Sequence, residues 1–342
     1  MKKYLLYVSQ LYSFSIAKPL NDFIIGNGDK AAWFIAKPEY KKYLHKNAKV
    51  LHTIWDVIEY NPCAVFVASN TVPDFFPGIK VQLFHGFNAQ KRNSAIGHFR
   101  IRGFFDLYCT QGPSTTLPFL ELEKKHGFFK VIETGWPKMD PLFSEKTEQE
   151  NKRPIILFTS TFTPSLSAAY RIHDILSDLI NKNTWDWRIT LHPKMAPGIV
   201  AKYKKLQQKN CKFIETDNTI PLLKKADVML SDTSSIISEF LLQEKPVVTF
   251  KNRRPGNHLI NIQDQADIEK SIKKALEKPD DLMDSIKKYI DLIHPYKDGK
   301  SSERVVNASN IFIDNYYKKL KNKPLNLTRR LKMRLKYHYY RL

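Results

Sequence analysis

Cysteine is scarce in this sequence: Cys63, Cys109 and Cys211 are the only three in 342 residues. They form neither a CxxC pair nor an even-numbered framework, which excludes a disulfide-stapled secreted scaffold and suits a reducing cytosol. There is no His/Cys cluster and no Asp-x-Asp among the candidate segments, so no obligatory metal and no cofactor is expected. Long apolar runs are missing too; none approaches the roughly 18 residues needed to span a bilayer. The opening MKKYLLYVSQLYSFSIAKP sets two lysines before an apolar stretch, but Tyr, Ser and Gln interrupt it and no small-residue cleavage site follows. It reads as a first buried strand, not as a signal peptide. Low-complexity segments and fixed-period repeats are also absent, and the 19 prolines are spread among apolar segments.

What is present suits a globular chain. Hydrophobic residues make up 42% and aromatics 12%, enough for a substantial core, and the length allows two domains. Fifty-five Lys plus Arg against 34 Asp plus Glu give a net charge of +21, and part of that excess is local. From Tyr316 to Leu342 there are ten Lys or Arg and no acid. Such a tail points to an anionic partner: a membrane surface, nucleic acid or a polyanionic substrate.

Short apolar runs alternate with helical patterns. KYLLYV (3–8), AVFVAS (64–69), KVQLFH (80–85), LYCTQG (107–112) and KVIETG (130–135) read as buried strands, and 46–62 as a crossover helix stopped before Pro62. A second series, IILFTS (155–160), WRITLHP (187–193), CKFIET (211–216), DVMLSD (227–232) and PVVTF (246–250), follows the polar stretch at 144–153. Alternating strand and helix predict α/β domains built on parallel sheets. The expected division is a first domain over 1–143, a linker over 144–153, a second domain over 154–315 and a basic amphipathic tail over 316–342.

Ligands of parallel sheets bind beyond the carboxyl ends of the strands, so residues just after each run matter most. His85-Gly86 follows one run, with Lys91 and Arg92 beyond. A histidine there is either structural or a general base, since imidazole titrates near neutrality. His192, fixed by Pro193, is equally a turn histidine or a functional one. TGWPKMDPL (134–142) is by itself a turn presenting Lys138 and Asp140. In DVMLSDTSSIISEF, Asp232, Thr233, Ser234 and Ser235 open a helix, with Glu239 a turn further on. They serve either as an N-cap or as an anion cradle, with Glu239 in reach of a ribose hydroxyl. KDGKSSERVV (297–306) is likewise a capped helix start, with Arg304 on its solvated face, or a binding element with Ser302.

In order, His85-Gly86, Gly135-Trp136-Pro137-Lys138-Met139-Asp140, His192-Pro193, Ser231-Asp232-Thr233-Ser234-Ser235 with Glu239-Phe240 and Lys245-Pro246, and Asp298-Gly299 with Ser302 and Arg304 resemble the CDP-glycerol glycerophosphotransferase family. Its members are teichoic-acid primases and polymerases and their relatives in capsule synthesis. The resemblance covers about residues 80–306. It implies a GT-B-like fold of two facing Rossmann-type domains, the C-terminal one binding a CDP-linked alditol. By this similarity His85 maps onto the base acting on an acceptor hydroxyl, and His192 onto a second essential histidine beside the donor phosphates. Ser234 and Ser235 map onto the diphosphate cradle, with Ser302 and Arg304 as further donor contacts. The chain differs from the family pattern in reading Thr159-Ser160-Thr161-Phe162-Thr163 where the family has Ala-Pro-Thr-Trp-Arg, so that the arginine is missing, in the late position of Lys91, and in Thr233 for Tyr and Glu239 for Asp.

The resemblance thus implies transfer of an alditol phosphate, glycerol phosphate first, to a lipid-linked or polysaccharide acceptor, with release of CMP. A GT-B nucleotide-sugar glycosyltransferase or epimerase is the alternative. In the tail, Leu327, Leu331, Leu335, Tyr339 and Leu342 recur at helical spacing, with Arg329, Arg330, Lys332 and Lys336 elsewhere. That stripe predicts an interfacial helix on an anionic membrane, and hence a cytoplasmic protein peripheral on the inner membrane face; packing back on the first domain is the other outcome. No RNP-like motif, zinc spacing or helix-turn-helix supports a nucleic-acid partner.

Overall fold

KYLLYV lacks polar alternation, as a strand covered on both faces should, and it forms β1 (Lys3–Val8) inside a seven-stranded sheet. The computed structural model describes residues 1–44, 46–87, 97–144, 151–216 and 218–340. The first unit comprises Met1–Ser144 and Ile293–Leu342. In it, β2 (Lys30–Ile35), β3 (Val50–Leu51), β4 (Ala64–Val67), β5 (Ile79–Gln82), β6 (Leu107–Thr110) and β7 (Lys130–Glu133) give the order β3-β2-β1-β4-β5-β6-β7. All pairings are parallel, so the carboxyl ends of these strands share one edge. Helices α1 (Ser13–Gly26), α2 (Ile54–Tyr60) and α3 (Pro113–His126) lie between strands, and α4 (Asp140–Phe143) follows β7.

The second unit, Glu145–Leu292, repeats the plan. Strands β8 (Ile155–Ser160), β9 (Asp186–Leu191), β10 (Cys211–Phe213), β11 (Val228–Ser231), β12 (Val247–Phe250) and β13 (Ile260–Ile262) run parallel in the order β10-β9-β8-β11-β12-β13. Its helices are α5 (His173–Asn181), α6 (Pro197–Lys204), α7 (Ile220–Lys225), α8 (Ile236–Leu241), α9 (Ile268–Leu276) and α10 (Asp280–Ile293). The chain then returns to the first unit with α11 (Ser301–Asn315) and α12 (Leu327–Lys336).

Two expectations change. The helix read over 46–62 gives way to β3 and a shorter α2, because Thr53 and Asp56 form a reciprocal capping box that starts the helix at Ile54. The second domain does not run to 315: residues from Ile293 onward group with the first unit. Helix α11 packs on α1, β5 and β6 and buries Val305, Val306, Ala308 and Phe312. At about 1.5–3 kcal/mol for each large apolar side chain buried, that face fixes where the segment belongs.

Candidate functional site

In the first unit the chain turns sharply just past β5. Phe84 has φ 58°, a left-handed conformation that costs a residue with a Cβ about 1–2 kcal/mol. Its ring packs among His98 at 4.6 Å, Phe119 at 5.1 Å and Tyr108 at 6.1 Å, which holds the turn. His85 is laid against Tyr12, with ring centroids 4.9 Å apart and 26° between planes. Beside Gly86, no described atom outside its immediate chain neighbours stands within 4 Å of where a Cβ would be. Burial pushes His98 down to about 4, with the charges of His85 and Arg102 adding to it. Lys91, expected as a phosphate contact, lies outside the described residues.

Lys138, Asp140, Ser302 and Arg304 all fall in this first unit. They form a lock. Asp140 is buried, and its two carboxylate oxygens accept the backbone N–H groups of Ser301 at 2.8 Å and Ser302 at 2.7 Å. It therefore caps α11 from outside, in the place an anionic ligand would take. Gly299 has φ 67°, and a Cβ there would come within 3.1 Å of the Asp140 carbonyl oxygen, so the turn needs glycine. Arg304 pairs with Asp298 at 2.7 Å and lies 4.0 Å over the Tyr296 ring, whose hydroxyl donates to Glu133 at 3.0 Å. The Trp136 backbone N–H donates to His294 Nε2 at 3.0 Å, and burial pushes that imidazole down to about 4. Lys138 Nζ rests 5.2 Å over the Trp136 ring.

The second unit carries the other corner. Asp232 is wholly buried and turns inward, accepting from Ser160 Oγ and from the N–H groups of Thr161, Ala168 and Thr233. Burial still raises its pKa against those bonds. It is a positioning residue that ties the loop after β8 to the start of α8, with its oxygens engaged. Ser235 occupies the N-cap position of α8 without a side-chain cap bond, so the expected serine cap is not made. Ser234 is half-buried and Ser235 exposed. Glu239 is buried on α8.

His192 directly follows β9, exposed, with Phe162 at 4.5 Å. Its Nδ1 accepts the Lys194 N–H at 3.0 Å, leaving the proton on Nε2. Burial and then the Lys194 charge hold it below the ordinary histidine value, which keeps the imidazole a neutral donor.

Three neighbours of this corner escaped the sequence reading. Asn252 Nδ2 donates to the Asp232 carbonyl at 2.7 Å, and the Arg253 N–H to Thr233 Oγ1 at 3.4 Å. That ties the loop after β12, with its exposed Arg253 and Arg254, to Asp232 and Thr233. The strand-end rule, applied to PVVTF, would have found them. Tyr12, beyond the end of β1, escaped for the same reason.

Helix α12 lies on the first unit through its arginines. Arg334 reaches Asp74 at 3.1 Å, Arg330 approaches it at 3.9 Å, and Arg329 donates to the Arg102 carbonyl at 3.0 Å. Leu327, Leu331 and Leu335 point outward, 68%, 58% and 51% exposed. Tyr339 leaves the expected stripe to stack on Phe75 at 4.2 Å, and Leu342 lies outside the described residues. No described helix is long and apolar enough to cross a membrane.

A family model described as UDP-N-acetylglucosamine 2-epimerase matches residues 130–310. In sequence the chain is similar to the teichoic acid glycerol-phosphate primase of Bacillus subtilis (strain 168), 24% identical across 54% of this chain and 51% of that protein. It is also similar to the teichoic acid ribitol-phosphate polymerase TarL of Staphylococcus aureus (strain NCTC 8325 / PS 47), 29% identical across 62% and 46%. The chain thus spans about half the length of the curated relatives it matches. In structure it is similar to a variant of the wall teichoic acid polymerase TagF, with a TM-score of 0.68 at 14% identity over 93% of this chain and 90% of that one. The same polymerase soaked with CDPG also matches. The fold is α/β and GT-B-like, with two Rossmann-like units on parallel sheets.

Proposed function

Because the chain belongs to the UDP-N-acetylglucosamine 2-epimerase family and is related in sequence to teichoic-acid polyol-phosphate transferases, we propose that it transfers an alditol phosphate, glycerol phosphate first, from a CDP-linked donor to a hydroxyl of a lipid-linked or polysaccharide acceptor in the cell envelope. The observation that carries this reading is the contrast in chemistry between the units. Beyond β5 stands a histidine whose neighbour Gly86 is uncrowded among the described residues; beyond β11 stands a hydroxyl-rich corner whose Thr233 is bonded to a loop carrying two exposed arginines.

In this mechanism His85 takes the proton of the acceptor hydroxyl as its oxygen attacks the alditol-bearing phosphorus in line, and CMP leaves. Ser234, Ser235, the His192 Nε2–H and the Arg253-Arg254 pair offer donors and charge to the phosphates, where most transition-state charge develops. Glu239 serves the donor ribose from within the corner. CMP release from CDP-glycerol and CDP-ribitol, with a soluble saccharide acceptor, tests this directly. Wild type should release acceptor-dependent CMP, and H85A should lose about 10²–10⁴-fold. Equal turnover by H85A rules out His85 as the base, and the preferred donor identifies the alditol.

The family model favours a second reading, epimerisation of a UDP-sugar. That chemistry needs a group to take a proton from carbon. In the first unit, Asp140 caps α11 and Glu133 accepts from Tyr296 and Thr116, so neither carboxylate stands ready for it. Conversion of UDP-N-acetylglucosamine without CMP chemistry would establish the second reading instead.

Residues 316–342 hold the enzyme on an anionic membrane, at its cytoplasmic face. What supports this is the outward row Leu327, Leu331 and Leu335, with exposed Lys332 and Lys336 beside it. Leucines enter the headgroup boundary while lysines reach the phosphates. Replacing the three leucines with serine should abolish sedimentation with phosphatidylglycerol vesicles and spare CMP release with a soluble acceptor. Unchanged sedimentation would reject the tail as the anchor.

A further inference from the structure

His85 is flanked by buried polar groups that the fold leaves unsatisfied. Gln111, just past β6, is wholly buried, yet neither Oε1 nor Nε2 has a hydrogen-bond partner among the described residues. The next residue, Gly112, lies against the backbone of Ile293 and His294, and the His294 ring stands 5.7 Å from Phe87, two residues past His85. Trp136 follows β7, the next strand, and its buried Nε1–H is unpartnered as well. Ser13 opens α1 next to Tyr12, the residue stacked on His85, and its buried Oγ has no partner. Helix α1 in turn packs on the Pro137–Met139 turn that follows Trp136. Three elements therefore bring three unsatisfied groups to the neighbourhood of one histidine.

Native folds pair nearly all buried polar groups, and a cluster of exceptions calls for a partner that arrives later. The groups are held firmly. A Cβ on Gly112 would meet the Ile293 and His294 backbone at 2.5–2.9 Å, so the chain beside Gln111 is tightly enclosed. Phe87 packs edge-on to Trp136 at 4.9 Å. Their chemistry is also specific. An amide with two N–H groups and an acceptor, an indole N–H and a hydroxyl carry no charge, whereas a phosphate would call for a guanidinium or ammonium. Neutral groups of mixed polarity match the hydroxyls of a polyol or sugar.

We propose that Gln111, Ser13 and the Trp136 Nε1–H bind the neutral, polyhydroxylated end of the acceptor and present one of its hydroxyls to His85. This rests on the reading of His85 as the base. Gln111 selects the acceptor and contributes nothing to the donor.

Saturation-transfer NMR on the full chain, with ribitol and a methyl hexosaminide as probes, tests the site without turnover. Wild type should saturate the carbinol protons of at least one probe, and Q111M and S13A should weaken that binding tenfold or more. In turnover, Q111M should raise KM for the acceptor at least tenfold and leave KM for CDP-glycerol unchanged. Its Tm should not fall, since the methionine removes unmet polar groups; S13A covers the case in which Q111M does not fold. No saturation of either probe by wild type, or unchanged probe binding in both variants, overturns the inference. Gln111-dependent probe binding without CMP release from either donor would instead defeat the phosphotransfer reading and leave a polyol site standing.

Discussion

Two serine pairs open helices after an aspartate, Ser234-Ser235 at α8 and Ser301-Ser302 at α11, and the structure treats them in opposite ways. At α11 a distant carboxylate, Asp140, already occupies the first turn, and the nearby Asp298 is taken by Arg304. At α8 the aspartate has turned away to hold the loop after β8, and Ser235 stands at the N-cap without a side-chain cap bond, while Thr233 is bonded to a loop with two exposed arginines. A helix start attracts anions in both places. The difference is whether the protein supplies the anion itself.

That contrast can be broken most directly at Asp140. D140A strips the acceptor from two buried N–H groups, at about 1–3 kcal/mol each, and should lower the melting temperature by many degrees. An unchanged melting curve would mean α11 is held by packing alone. At the other corner, S234A/S235A should weaken CDP binding about tenfold, roughly 1.4 kcal/mol, with stability within about 0.5 kcal/mol of wild type. The reverse outcome, lost stability with unaltered binding, would make this corner a cap like the first.

The smallest effect is one of pH. The unfolded chain binds a proton at His294 near 6.5, which the folded protein refuses until about 4. Stability should therefore fall as pH drops through that window, because the unfolded state holds more protons there. H294Q should flatten the slope by about one proton, and H192Q, at an exposed site, by far less. Equal flattening by both would remove the distinction between a buried lock and an open corner.

Much of the architecture was legible because buried parallel strands carry unbroken apolar runs: KYLLYV and IILFTS are β1 and β8 residue for residue. The strand-end rule located His85, His192 and the 231–235 corner. It did not say which polar groups were already spoken for. Asp140 and Ser302 lie 162 residues apart, and no local pattern shows that one satisfies the other. The tail was legible only in part. Its leucine row was visible, but a heptad count cannot tell that Asp74 draws Arg330 and Arg334 inward and turns the leucines out. The return of the chain at Ile293 was hidden too, since α11 is an ordinary amphipathic helix whose partner face, on α1, β5 and β6, was made far upstream.

That return has a consequence for synthesis. A ribosome releases the seven strands of the first unit early, but α11, which covers α1 and part of the sheet, emerges only after the whole second unit. At ordinary elongation rates the interval is roughly nine to thirty-four seconds. For that time the nascent chain carries an uncovered apolar face while a later, contiguous unit finishes ahead of it. Translation speed and chaperone access, rather than final stability, would then govern how much of this protein reaches its native form.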